Sequence, residues 1–424
     1  INFPFEKPFE PDTYTDKIDI KIINKLFELS SIKIKQKIKS STLSKSLINK
    51  FVGVKRGLIL MGYDNYDSDL AKSISEFSDM TGFPIVADGA SGMRFCKHSK
   101  KNYLSNFATL VRSEHFLKYY DPEIILQFGG SPTSNIVLEF LKNTNAEKIL
   151  INEYGDKNDP SLTAKTIIKS NPVEFCNSML HALNKQKILK DKNWLKELAF
   201  IDHEVEVIKR NEMKNASITH ESKVVFDLLE MLPGNVNVMV SNSLPIRDLD
   251  FFTSNFQKPI RIFCNRGASG IDGITSTTIG IAKASKKNTV LLTGDLAFYH
   301  DMNGLLNAIK FNIPLTIVLI NNNGGGIFES LPISRFGNKF IENFITPLNL
   351  NFAKFVRAYG GNYKSVNNSK SFKAELNRAV TSKSLAVIEI KSNSKKSKIL
   401  REKIWKKSVE KINLIINETL SRRN

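Results

Sequence analysis

Short apolar runs recur along this chain, each ending in a polar or glycine-rich turn and followed by room for one helix. NVNVMVSNS (235–243), IRIFCNRG (260–267), NTVLLTGD (288–295), PLTIVLINN (314–322) and SLAVIEIK (384–391) form one series. GLILMG (57–62), PIVAD (84–88), EIILQFGG (123–130) and KILIN (148–152) form an earlier one. Segments between them keep helical spacing, as Leu70, Ile74, Phe77 and Met80 do over 67–80. Strands that alternate with helices predict parallel sheets covered on both faces. The fold class is therefore α/β, with two doubly wound parallel-sheet domains.

Further helices are predicted over 272–283, 302–311, 352–359 and 371–380, and the region from 164 to about 230 reads as helical, with a Lys-rich interdomain crossing. The opening INFPFEKPFEP begins with Ile and is proline-rich, so it reads as an extended connector from a longer protein. The expected division is a connector over 1–50, a central domain over 51–207 and a second domain over 208–424. The stretch Lys395–Asn424 carries ten Lys or Arg, with Ile404, Val409, Ile412, Ile416 and Leu420 at near-helical spacing. It reads as an amphipathic surface helix with a solvated basic face.

The chain has 424 residues, 41% of them apolar, which excludes a mainly disordered chain. Its net charge of +19 comes from lysines scattered along the sequence. That distribution argues against nucleic acid and suits small polyanionic substrates. No apolar run approaches the roughly 18–20 residues that cross a bilayer. Cys96, Cys176 and Cys264 are far apart and odd in number, so they form neither a disulfide framework nor a zinc motif. A cytoplasmic setting fits them.

Four polar motifs start where apolar strands end: SNSLPIRDLD (241–250), CNRGASGIDG (264–273), TGDLAFYHDMNG (293–304) and NNNGGGIF (321–328). In a parallel sheet all strand C-termini share one edge, where ligands bind. Asp295 and Asn322 lie 27 residues apart, room for one helix and one strand, so they fall at the tips of neighbouring strands. A carboxylate, an amide oxygen and a loop carbonyl make a hard oxygen set suited to Mg²⁺. Gly324, Gly325 and Gly326 let the backbone approach a ligand, and helix N-termini add phosphate donors. A metal-bridged diphosphate is the expected ligand.

These motifs resemble those of thiamine-diphosphate enzymes, whose signature is Gly-Asp followed after a helix and a strand by Asn-Asn. NRGASGIDG and SNSLPIRD are similar to one family in particular, the 2-succinyl-5-enolpyruvyl-6-hydroxy-3-cyclohexene-1-carboxylate (SEPHCHC) synthases, the MenD family of menaquinone and phylloquinone synthesis. The resemblance implies a thiamine-diphosphate-dependent transferase that joins 2-oxoglutarate to isochorismate with loss of CO₂. It implies thiamine diphosphate and Mg²⁺ (or Mn²⁺) as cofactors, and a homodimer or homotetramer for the intact enzyme. By matching motifs, Asp295, Asn322 and the Gly324 carbonyl are the implied metal ligands. Gly294, Leu296, Asn323 and Gly325 fall to the cofactor, and Ile271 matches the residue wedged beneath it. Ser243, Arg247 and Arg266 match groups that hold substrate carboxylates, and Ile327, Phe328 and Leu331 match the apolar wall at the reacting carbon.

Two departures stand beside the resemblance. Its activating glutamate belongs to an N-terminal pyrimidine-binding domain that has no counterpart in these residues, so no catalytic residue is assigned and the isolated chain is expected to be inactive. Asn135 stands where relatives carry a lysine, and it receives no role. His300, near the metal loop, reads as a polar position beside Asp301 before it reads as a general acid. Two alternatives remain: another thiamine-diphosphate enzyme acting on a 2-oxoacid, and a fragment that folds and binds metal-diphosphate without turnover.

Overall fold

The computed structural model describes residues 21, 36–37, 43–64, 66 and 68–422. Of the connector expected over 1–50, its opening residues 1–11 lie outside them, whereas Gln36–Lys37 pairs into the first sheet and Lys45–Gly53 is a helix whose Leu47 and Phe51 enter that sheet's core. Two sheets organise the chain, and every strand pair in both is parallel. The first holds β1 (Gln36–Lys37), β2 (Gly57–Met61), β3 (Ile85–Ala87), β4 (Tyr103–Leu104), β5 (Ile124–Phe128), β6 (Glu147–Asn152) and β7 (Thr166–Lys169), in the order β1-β7-β6-β5-β2-β3-β4. The second holds β8 (Val236–Val240), β9 (Ile260–Phe263), β10 (Thr289–Gly294), β11 (Leu315–Asn321), β12 (Asn362–Val366) and β13 (Leu385–Lys391), in the order β12-β13-β11-β10-β8-β9. The α/β reading with two doubly wound sheets holds.

Strands β2 and β5 are buried along their whole length and β10 up to Gly294, because helices cover both faces. Helix α1 (Ser68–Thr81) shows why: Leu70, Ala71, Ile74 and Phe77 fall on one stripe and are buried. In the second sheet β9 lies on one side of β8, while β10 and the later strands lie on the other. The strand order therefore reverses between β8 and β10, and a crevice opens at their C-terminal ends.

One expectation needs correction, one strand was unanticipated, and the expected amphipathic C-terminal helix buries more than its apolar stripe. The region from 164 onward is not helical throughout: Thr166, Ile167 and Ile168 pair with β6 as β7 before a helix starts at Pro172. A run of four residues is too short to show a period, and its β-branched residues won. Strand β12 was missed because its polar, mostly exposed edge sequence NYKSV carries no apolar pattern. The basic C-terminal segment is not a simple surface helix. As α8 (Ser394–Ser421) it buries Arg401 as well as Ile404, Ile412 and Ile416.

Between the sheets runs α3 (Trp194–Asn215), whose Trp194, Leu198, Ile201 and Val205 belong to the core of the first sheet. Its Met213 packs with Phe226, Phe252, Leu400 and Ile404 near the second. The expected division at 207–208 falls within this continuous helix. Helix α8 crosses in the same way: Ile412, Ile415 and Ile416 close the first sheet's core, while Leu400 and Ile404 join the second group. A backbone contact completes the joint. A Cβ on Gly89 would lie 2.6 Å from the Cα of Asp250, so only glycine lets these surfaces meet. Among the described residues no helix is long and apolar enough to cross a membrane.

Candidate active site

All four motifs converge on one cavity of about 290 Å³ at the β8/β10 crevice. It is lined by Asn242, Ser243 and Arg247 after β8, by Ser269 and Ile271 after β9, by Gly294 to Ala297 after β10, and by Asn322 and Gly324 to Phe328 after β11. β10 and β11 are hydrogen-bonded neighbours, with Gly294 opposite Ile320, as the Asp295–Asn322 spacing requires.

Asp295 opens helix α7 (Asp295–His300) and is 2% exposed. Its Oδ1 accepts from the Leu296 N–H at 2.9 Å and its Oδ2 from the Gly324 N–H at 2.8 Å. Burial pushes its carboxyl up to about 6, against these backbone donors, which pull it down. Such a group is better satisfied beside a cation than alone. Gly324 has φ +138°, and a Cβ there would sit 2.1 Å from the Ile345 carbonyl oxygen. Its own carbonyl accepts from Gly326 at 3.0 Å and keeps a second lone pair. A Cβ on Gly325 would meet the Phe344 carbonyl at 2.5 Å, so this stretch must be glycine to pass so close to its neighbours.

Asn322 donates from Nδ2 to Glu221 Oε1 at 2.6 Å, and its Oδ1 is buried with no hydrogen-bond partner. An orphaned amide oxygen beside a buried carboxylate is a donor set that fits a divalent cation. Asn323 points elsewhere: its φ is +62° and its side chain bonds Asn349 at 2.8 Å.

Ser243 sits at φ +73°, a strained position for a non-glycine residue, just before α5 (Leu244–Phe252). Its carbonyl accepts from Arg247 Nη1 at 2.7 Å. Arg247 has its pKa lowered by burial and then by the charge of Arg266. Arg266 donates to Asn242 Oδ1 at 3.1 Å, and Asn242 in turn holds the carbonyls of Asn265 and Gly270. Ile327 and Phe328 line the cavity, whereas Leu331 is 38% exposed and lies outside it. His300 is also exposed and faces Asp272 at 3.6 Å; Asp301 instead accepts from the backbone and hydroxyl of Ser276. Asn135 is exposed at the start of helix Asn135–Asn143.

Sequence reasoning missed a buried trio at the cavity wall, where Glu221 and Asp248 line it. Arg401 chelates Asp248 through Nε at 2.8 Å and Nη2 at 2.5 Å, and Nη2 also reaches Glu221 Oε2 at 2.7 Å. Glu221 begins helix α4 (Glu221–Met231). Asp248 stood inside a quoted motif, but Glu221 and Arg401 are separated by 180 positions and carry no local signal.

Comparison with known proteins agrees with this fold. Residues 29–240 match the family described as the middle domain of thiamine pyrophosphate enzymes, and residues 252–390 match the thiamine pyrophosphate enzyme C-terminal TPP binding domain. A SEPHCHC synthase of Bacillus cytotoxicus is 33% identical over 97% of this chain and 69% of its own length. One from Geobacillus thermodenitrificans is 32% identical over 87% of this chain and 62% of its own length. One from Haloquadratum walsbyi is 29% identical over 97% of this chain and 72% of its own length. This chain thus spans about two thirds of the relatives it matches. With both α/β units matched to thiamine-diphosphate enzymes and the relatives bearing one name, the chain belongs to the SEPHCHC synthase family.

Proposed function

We propose that these residues form the diphosphate- and metal-binding half of a site that joins 2-oxoglutarate to isochorismate with loss of CO₂, giving SEPHCHC for menaquinone synthesis in the cytoplasm. One observation carries the reading: the unpartnered Asn322 oxygen lies in the same cavity as the Asp295 carboxylate, at the reversal of strand order. Asp295, Asn322 and the Gly324 carbonyl would hold Mg²⁺ or Mn²⁺. Gly294, Leu296 and Gly325 line the cavity where a diphosphate would approach, and Asn323 shapes the loop between them. Thiamine diphosphate, when bound, supplies the electron sink that decarboxylation of a 2-oxoacid needs.

The chain's own groups supply the rest. Arg247 and Arg266 offer planar N–H pairs to carboxylates, and both substrates are dicarboxylates. Ser243 adds a hydroxyl that caps no helix. Ile271, Ile327 and Phe328 make an apolar wall that excludes water from the reacting carbon. The carboxylates lining the cavity are Glu221, Asp248 and Asp295, and all three are already engaged. An activating carboxylate would therefore reach the site from beyond this lining, and assembly as a homodimer or homotetramer would bring it to the open side.

The test is a chimera in which these residues replace the matched part of the Bacillus cytotoxicus relative. Supplied with thiamine diphosphate, Mg²⁺, 2-oxoglutarate and isochorismate, it should form SEPHCHC. Release of CO₂ and the free aldehyde, with isochorismate untouched, would assign the chain to another 2-oxoacid reaction.

A further inference from the structure

Asn322 can present either end of its amide to the cavity, and only one end binds a cation. Its Nδ2 faces Glu221 Oε1 at 2.6 Å. An ionised carboxylate has no hydrogen to give, so the group facing it must be the NH₂ and the oxygen must point the other way. Glu221 is 1% exposed, and a carboxylate so buried needs a cation or strong donors beside it. Arg401, itself 7% exposed, supplies that charge at 2.7 Å, while the Glu221 N–H donates to Ser397 Oγ at 3.1 Å on the same helix, α8. Gly326 closes the space beside the amide: a Cβ there would lie 2.6 Å from Asn322 Nδ2.

We infer that Glu221 and Arg401 are positioning residues that set the polarity of the Asn322 amide, turning its oxygen toward the divalent cation of the bound diphosphate. The inference rests on the reading of Asp295 and Asn322 as metal ligands. Without the arginine, nothing at 2.7 Å would hold Glu221 Oε2 in place, and the acceptor that faces the amide NH₂ would be free to move. Arg401 also chelates Asp248, the neighbour of Arg247 on α5. One guanidinium therefore braces both the cation site and the helix that carries the substrate clamp.

Mn²⁺ binding by the whole chain with thiamine diphosphate, read from the spin-resonance signal of free Mn²⁺, tests this without turnover. Asp295→Ala should abolish tight binding. Glu221→Gln should weaken it by about 10- to 100-fold, the range expected for a residue that orients a metal ligand. Asn322→Asp alone should also weaken it, because two carboxylates would face each other. The double variant Glu221→Gln/Asn322→Asp exchanges donor and acceptor and should bind close to the unaltered chain, which a mere packing role would not produce. Arg401→Met should behave like Glu221→Gln; if it does not fold by circular dichroism, the Glu221 variants decide. Unaltered affinity in Glu221→Gln, or a double variant as weak as Glu221→Gln alone, overturns the proposal while loss in Asp295→Ala keeps the metal reading. Unaltered binding in Asp295→Ala, or none in the unaltered chain, overturns both.

Discussion

Arg247 and Arg266 lie close enough that the charge of Arg266 lowers the pKa of Arg247, second only to burial. Arg247 lines the cavity, while Arg266, from a different strand end, lies outside its lining and reaches it through Asn242. Asp248, the nearest carboxylate in sequence, is chelated by Arg401, and its pull on Arg247 is weaker than the push from Arg266. Like charges held together in this way are an anion site awaiting its anion.

Replacing either arginine by alanine in the chimera should therefore weaken a dicarboxylate selectively. Loss of one charged hydrogen bond of about 1.5–3 kcal/mol corresponds to roughly 10- to 100-fold in kcat/KM. Steady-state kinetics with 2-oxoglutarate and with pyruvate check this. An equal loss for both substrates would show that the arginines do not read the second carboxylate.

Gly324→Ala should damage both the fold and cofactor binding. The residue would have to hold φ +138° with its Cβ 2.1 Å from the Ile345 carbonyl, at a cost of about 1–3 kcal/mol. Gly294→Ala is the contrast: its added Cβ meets nothing within 4 Å, so stability should change by no more than about 0.5 kcal/mol. Thermal melts with and without thiamine diphosphate separate the two.

The cavity was legible because its parts are local. Asp295 and Asn322 each end an apolar strand, and their spacing alone made those strands neighbours. Glu221 and Arg401 were not legible, since each is an ordinary charged residue on a helix and gains meaning only where two helices meet. Arg401 was read as part of a solvated basic face because sequence period places it beside many exposed lysines. Its burial is decided by Asp248 and Glu221, which no window around it contains. Short β7 and polar β12 failed for a simpler reason: neither run carries enough apolar residues to show a period.

Asp202 gives a pH dependence to the α3 joint. It accepts from the backbone of Ser105 and Asn106 at 3.0 and 2.8 Å, and burial pushes its carboxyl up to about 6. A carboxyl raised in the folded state contributes stability that is full below its unfolded value of about 3.9 and is lost as pH rises through 6. Its neighbour Glu206 is raised by burial but held down to about 2 by Lys209, Ser254 and Asn106, so its contribution is complete above pH 5. Urea unfolding should show stability falling between pH 5 and 7, with about 1.4 kcal/mol, one pKa unit's worth, traceable to Asp202. Asp202→Asn should remove that share of the slope, and an unchanged slope would show that Asp202 titrates normally.

Trp405 of α8 lies between Phe251 and Phe252, with the Arg112 guanidinium 3.8 Å from its ring centroid. Trp405→Ala should cost about 3 kcal/mol, the low end for a half-buried ring, as measured by urea unfolding. Trp405→Phe should restore much of it, because the ring contacts and the cation–π contact survive.

Helix α8 follows every strand of both sheets in the sequence, yet Ile412, Ile415 and Ile416 belong to the first core and Arg401 to the support behind Asn322. A chain growing on the ribosome therefore completes all its strands while the first core is still uncapped and the Asn322 amide is still free to turn. The first of these two sheets to be made is among the last to be sealed, and the segment that seals it is the one that readies the site.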